Sequence, residues 1–199
     1  MCEVNIWLVF IASYLLGSVP FGYLIPRIWN VDIRRYGSGN IGATNVFRTV
    51  GLVPAALVFG LDLLKGTFSV MLAQRISDNP WVFVVAGALA VFGHTFSLFM
   101  KFKGGRGAAT GLGVLLAVAP DIFALSVICV AVIIYATRTV SLASIITPIL
   151  VTIALIALQR PLPYSLISLM VTILILVRHI PNIKRLRNGT EPKIGAKND

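Results

Sequence analysis

Long apolar stretches set the pattern of this chain, and polar residues gather between them. The apolar runs cover residues 4–26, 51–74, 81–100, 107–119, 121–137, 140–158 and 162–178. A helix that crosses a bilayer needs about 20 apolar residues, or about 17 at the short end, so most runs qualify and the fourth is too short unless it starts nearer Gly104. The fourth and fifth runs meet at Ala119, Pro120 and Asp121, which reads as a turn because proline withholds an amide and cannot continue a helix interior. Without that turn the two runs fuse or one is re-entrant, and five or six spans remain. None of the runs alternates polar and apolar positions, so they read as helices and not as strands of a barrel, the other structure that satisfies its backbone within lipid. The pattern predicts an all-α integral membrane protein with about seven transmembrane helices, a single transmembrane domain over residues 1–199.

Composition agrees with this and adds a question. Hydrophobic residues make up 57% and charged residues 12% of the 199, which excludes a disordered chain and leaves too little polar surface for a soluble domain. Yet 17 basic residues against 7 acidic ones give a net charge of +10. With seven crossings and the N-terminus periplasmic, the inside segments hold Arg27, Arg34, Arg35 and Arg48, then Lys101, Lys103 and Arg106, then Arg138, then Arg178 and the basic tail to Lys197. That places 14 of the 17 basic residues inside, against Arg75 and Arg160 outside and Lys65 within a span. The bias predicts a periplasmic N-terminus and a cytoplasmic C-terminus. Glu3, Asp78 and Asp121 fall outside, although acidic residues carry little topological weight. Because the basic residues are spread over short loops without a binding module, nucleic acid is not expected as a partner, whereas the lipid membrane is. Cys2 and Cys129 suggest neither a disulfide framework nor a thiolate metal site. The opening Met1, Cys2, Glu3 lacks the basic start of a secretory signal, so the first run is expected to be retained.

The polar chemistry collects at the inside ends. One loop reads Arg34 to Asn45 with Gly37, Ser38, Gly39, Asn40, Gly42 and Thr44, followed by Arg48; a second reads Lys101 to Thr110 with Lys103, Gly104, Gly105 and Arg106. A third is short, Arg138 to Ser144, and the last holds Arg178, His179 and Asn182. Glycine lets backbone amides approach and converge on phosphate oxygens, and a following helix adds its positive end. Ser38, Asn40, Thr44 and Asn45 add neutral donors, while Arg48, Lys103 and Arg106 add charge. Two such loops on one face suit two phosphate groups, or one large one. The plainer reading is helix packing, for which Gly107 and Gly111 have the small-xxx-small spacing; the density of Ser, Asn, Thr and Arg around the first loop favours the anion.

Two motif matches fail on context. Gly37, Gly39 and Gly42 satisfy G-x-G-x-x-G with Asp62 twenty residues on, but a membrane span stands where a dinucleotide fold needs a strand. Lys65, Gly66 and Thr67 lack the upstream glycine of a phosphate-binding P-loop. Asp62 and Lys65 share a face of the second helix and read as a structural i, i+3 pair in preference to an ion path. His94 reads as hydrogen-bonded helix structure; His179, beside Arg178 and Asn182, is a substrate-contact candidate. No Cys/His cluster has zinc spacing, so neither metal nor cofactor is expected.

At these residues the chain resembles the PlsY family of bacterial integral-membrane acyl-phosphate:glycerol-3-phosphate acyltransferases. The likeness runs in order through Gly17–Gly22, GSGNIGATN at 37–45, DLLKG at 62–66, HTFSLFMKFKGGRGAAT at 94–110, SLASI at 141–145 and RHIPNIKRLRNGTE at 178–191. It implies seven membrane helices, a cytosol-facing site in the bacterial inner membrane, and transfer of a fatty acyl group from acyl phosphate to the 1-hydroxyl of glycerol 3-phosphate, giving lysophosphatidic acid and phosphate. It implies phosphate binding by Ser38, Gly39, Asn40 and Arg48, completed by the cation of the Gly-Gly-Arg loop, Ser144, His179 and Asn182. Functional coupling to the enzyme that forms acyl phosphate belongs to the same expectation. One departure is Arg106, where the family usually has lysine; arginine keeps the charge and loses the compact ammonium, which suits phosphate binding better than proton transfer.

Mechanism follows from the substrate. The histidine with an aspartate five positions on, found in other glycerolipid acyltransferases, is missing, since Phe99 follows His94 and Lys184 follows His179 at that distance. Acyl phosphate is already an activated anhydride, so positioning and charge stabilisation suffice for direct attack without an acyl-enzyme. The rival reading is a small-anion transporter using the same basic mouth, but the repeated halves common in transporters are not found.

Overall fold

A computed structural model describes residues 5–194, and all regular structure among them is helical. Cys2, Glu3 and Lys197 lie outside the described residues. The helices group into two units, Met1–Val118 and Ala119–Asp199.

The first unit holds α1 (Ile6–Ser18), α2 (Phe21–Arg27), α3 (Ala43–Thr49), α4 (Leu52–Gln74), α5 (Pro80–Thr95) and α6 (Ala108–Val118). Local chemistry sets their ends: Asn5 and Asn79 each accept from the amide two residues on, at 3.0 Å, and so cap α1 and α5. Proline at the first position of α5 starts the helix without losing a bond. The run at 4–26 is not one straight span, because the chain breaks at Val19 and Pro20 and α2 leaves α1 at 40°. Helix α4 is central and packs against α1, α5 and α6. Val9, Ala73, Val82 and Ala86 fill the seam between α1, α4 and α5. A second apolar cluster, Ile33, Ile41, Val46, Ala55 and Val58, lies where the 28–42 segment and α3 cover α4.

The second unit holds α7 (Pro120–Thr137), α8 (Val140–Ala157), α9 (Leu162–Arg178) and α10 (Ile180–Arg187). Pro120 begins α7, so the expected turn at 119–121 is present. Helix α8 packs against both α7 and α9. It contains Pro148, whose carbonyl accepts hydroxyls from Thr152 at 3.0 Å and from Thr172 of α9 at 3.1 Å. Thr152 also meets Ser168 at 2.8 Å. Such interhelical hydroxyl contacts contribute about 0.6 kcal/mol each within a bilayer. Asp121 and Arg160 form an ion pair. At His179 the chain bends by 58° into α10.

Among the described residues four helices are long and apolar enough to cross a membrane, and up to six when each bent pair is one span. The remaining expected span is α6, whose 11 residues reach only about 16 Å of the roughly 30 Å of hydrocarbon. Side chains are distributed as lipid requires. Trp7, Ile128 and Val132 are 60% exposed or more, while Asp62, Lys65, His94 and many Ser and Thr are buried. Acyl chains are as apolar as isoleucine, so only the polar groups gain by turning inward.

Candidate functional site

The first glycine-rich loop is organised by Asn45. Its amide Nδ2 donates to the carbonyls of Asn40 at 2.9 Å and Tyr36 at 3.0 Å, and lies 3.4 Å from that of Ile33. Its Oδ1 accepts the Ser38 amide at 3.0 Å. The turn this closes needs positive φ at Gly37 and Gly39, +57° and +69°, a region costly for residues with a Cβ. Asn45 was expected to donate to phosphate; instead its donors are engaged with the backbone, and its observed part is to shape the loop. The converging amides also need correction. Those of Ser38, Gly39 and Gly42 are bonded to Asn45 Oδ1, the Tyr36 carbonyl and Asn40 Oδ1, because a short polar loop satisfies its own backbone first. Ser38, Asn40, Thr44 and Arg48 lie on or directly after this framed segment.

Beside it, Asp32 binds Arg34 at 2.7 and 2.9 Å and Arg27 at 3.2 Å, and both guanidinium groups lie over the ring of Tyr23 at 4.6–4.9 Å. The Arg34 hydrogen bonds hold the Asp32 carboxyl well below the usual carboxylate range. Three of the basic residues counted as cytoplasmic charge, Arg27, Arg34 and, at 4.0 Å, Arg35, are therefore partnered locally by Asp32.

The second loop folds back along the end of α5. The Gly104 amide donates to the Thr95 carbonyl at 3.1 Å and that of Gly105 to the His94 carbonyl at 3.0 Å. Lys101 and Phe102 both take left-handed φ, 51° and 61°, a strained start for non-glycine residues. Gly105 lies so close to the His94 ring that a Cβ would strike Nε2. Lys103 is exposed, and Arg106 is half-buried.

Behind this loop is a cluster that sequence reasoning read only in part. Lys65 Nζ lies 2.8 Å from Asp62 Oδ1 and donates to the Val19 carbonyl at 3.1 Å. His94 Nδ1 is 3.5 Å from the same Asp62 oxygen. The i, i+3 pair was legible; its third member, 32 residues away, was not.

In the second unit, His179 is 3% exposed and its Nδ1 is 2.8 Å from the Ile175 carbonyl. In the neutral ring this contact places the proton on Nδ1 and leaves Nε2 as the acceptor. Asn182 donates from Nδ2 to Glu191 Oε1 at 2.7 Å, and Arg185 Nε donates to the other oxygen at 2.7 Å. Asn182 Oδ1 is buried with no hydrogen-bond partner among the described residues. Burial pushes the Glu191 carboxyl up, but the bonds from Asn182 and Arg185, with Ser141 beside them, outweigh it and hold the group below its ordinary value. Glu191 closed a motif in the sequence; its part as the anchor of α10 was not foreseen. Ser144 donates its hydroxyl to the Val140 carbonyl at 3.1 Å.

The model of the family described as glycerol-3-phosphate acyltransferase matches residues 7–189. The chain belongs to the glycerol-3-phosphate acyltransferase family. Two relatives of that name are similar over nearly their full lengths. One, from Trichormus variabilis, is 41% identical over 98% of this chain and 96% of its own. Another, from Moorella thermoacetica, is 43% identical over 96% of this chain and 99% of its own. Crystal structures of PlsY, an integral membrane glycerol 3-phosphate acyltransferase, align with TM-scores of 0.91 and 0.89 at 40% and 39% identity. They cover 96% of this chain and 96% and 95% of PlsY, in its glycerol 3-phosphate and lysophosphatidic acid forms. As a member of this acyltransferase family, the chain is an integral membrane protein of phospholipid synthesis.

Proposed function

We propose that the chain transfers a fatty acyl group from acyl phosphate to the 1-hydroxyl of glycerol 3-phosphate, on the cytoplasmic side of the bacterial inner membrane. The glycerol 3-phosphate and lysophosphatidic acid forms of its structural relative support this acceptor and product. One local observation carries the site assignment: a buried amide oxygen, Asn182 Oδ1, has no hydrogen-bond partner among the described residues. An orphaned buried acceptor costs about 1–3 kcal/mol, and the hydroxyl of an incoming glycerol is a donor that removes the cost.

In this reading the side chains of Ser38, Asn40, Thr44 and Arg48 serve one phosphate and those of Lys103 and Arg106 another, while Gly39, Gly104 and Gly105, whose amides are taken by backbone carbonyls, shape the two loops and Asn45 frames the first. Asn182 Oδ1 accepts a hydrogen bond from the hydroxyl and so orients the group, and His179 and Ser144 complete the catalytic set. The hydroxyl oxygen attacks the acyl carbonyl carbon, the bond from that carbon to the phosphate oxygen breaks, and the proton passes to a substrate phosphate oxygen. Lysophosphatidic acid and phosphate leave, and no acyl-enzyme forms. Coupling to an enzyme that forms acyl phosphate would supply the donor.

The test uses detergent-purified protein. Phosphate should be released from acyl phosphate only when glycerol 3-phosphate is present, with lysophosphatidic acid in equal amount. A covalent acyl-enzyme trapped with acyl phosphate alone rejects the direct route, and uptake by sealed vesicles without product would favour a transporter.

A further inference from the structure

Asp62 and Lys65 lie within α4, and the chemistry proposed above uses neither. Charges inside a span are costly, and a buried ion pair is often no more stabilising than apolar residues of the same volume. Net stability alone is therefore a weak account of the cluster. Its geometry points along one line. Lys65, 1% exposed, is held by Asp62 and by the Val19 carbonyl at the break between α1 and α2. Asp62 reaches the Nδ1 side of His94. The other side of that ring is where Gly105 rests, and the carbonyls of His94 and Thr95 accept the amides of Gly105 and Gly104. Gly66, next to Lys65, lies against the Thr110 and Val114 backbone of α6, the helix into which the loop leads. The loop at 103–107 is thus tied to the cluster at its start and at its exit.

We propose that Asp62, Lys65 and His94 form a buried positioning unit that fixes the backbone of Gly104 and Gly105, so that capture of a substrate phosphate by the following loop depends on charges inside the span. The proposal rests on the phosphate-binding reading of Lys103 to Arg106. None of the three touches substrate; they act through the loop. Loss of the His94 ring lets the loop relax, which weakens binding more than it slows the chemical step.

The experiment compares His94→Ala, His94→Asn, and the paired Asp62→Asn/Lys65→Met with the parent, in detergent. The Michaelis constant for glycerol 3-phosphate, kcat, amide exchange at Gly104 and Gly105, and thermal unfolding are measured. His94→Ala should raise KM about tenfold with kcat within about threefold, and the two glycine amides should exchange faster. His94→Asn, whose amide nitrogen can stand near the Nδ1 position but which leaves the Gly105 side of the ring empty, should recover only part of the loss. Gly105→Ala should be impaired, and adding His94→Ala should improve it by removing the ring that the new methyl strikes. An unchanged KM, slow amide exchange, or activity loss that merely follows the unfolded fraction overturns the proposal. If His94→Ala does not fold, the same KM and exchange criteria apply to the paired substitution. If the parent transfers no acyl group, the acyl-transfer reading fails, and amide exchange alone decides the positioning role.

Discussion

Asn45 and Asn182 are both 3% exposed, both lie in helices beside polar segments, and they do opposite things. Asn45 uses donor and acceptor together to close residues 33–40 around itself. Asn182 uses only its donor, on Glu191, and keeps a buried acceptor. A satisfied buried amide builds a frame; a half-satisfied one keeps an acceptor to spare. The difference separates two kinds of loss, of folded protein and of turnover.

The largest effect is expected from Asn45→Ala. It removes the centre of the loop and leaves several buried backbone groups without partners, at about 3 kcal/mol or more, read as a lower melting temperature in detergent. Asn182→Ala should instead lower kcat/KM about a hundredfold with a smaller melting shift; a large melting loss with parental turnover in the folded fraction would break the contrast. Ser38→Ala sharpens it, since Asn45 binds the Ser38 amide and not its hydroxyl. The loop should stay folded while activity falls about tenfold. The smallest effect is that of pH on Glu191. Its carboxyl is held below the ordinary value of 4.5, so its contribution is full above that value and is lost as pH falls through the lower folded one. Hydrogen exchange across α10 should rise on acidification below pH 4.5, and Glu191→Gln should remove that dependence.

The helices were legible because a membrane span satisfies its backbone within itself, so hydropathy alone marks it. The runs at 51–74 and 162–178 match α4 and α9 to within a residue. The break at Val19 was not read from Pro20, although the same rule located the turn before Pro120. The candidate residues were legible as types: Ser38, Asn40, Lys103 and Arg106 lie on the two expected polar loops, and Arg48 lies in α3 directly after the first. What each group bonds to was not. The partners of Asn45, Asp62 and Gly105 are set by chain reversals that no local spacing records, as the contact of His94 with Asp62 shows.

Pro148 carries a consequence for the serine one turn before it. A helix closes each carbonyl with the amide four residues ahead, and the residue four ahead of Ser144 is this proline, which has no amide to give. The Ser144 hydroxyl is already turned back to Val140. The serine therefore keeps two acceptors, a main-chain carbonyl without its helical amide and a hydroxyl oxygen whose proton is engaged but whose lone pairs remain; Ser144→Ala would remove the second, and Pro148→Ala would supply the amide that closes the first.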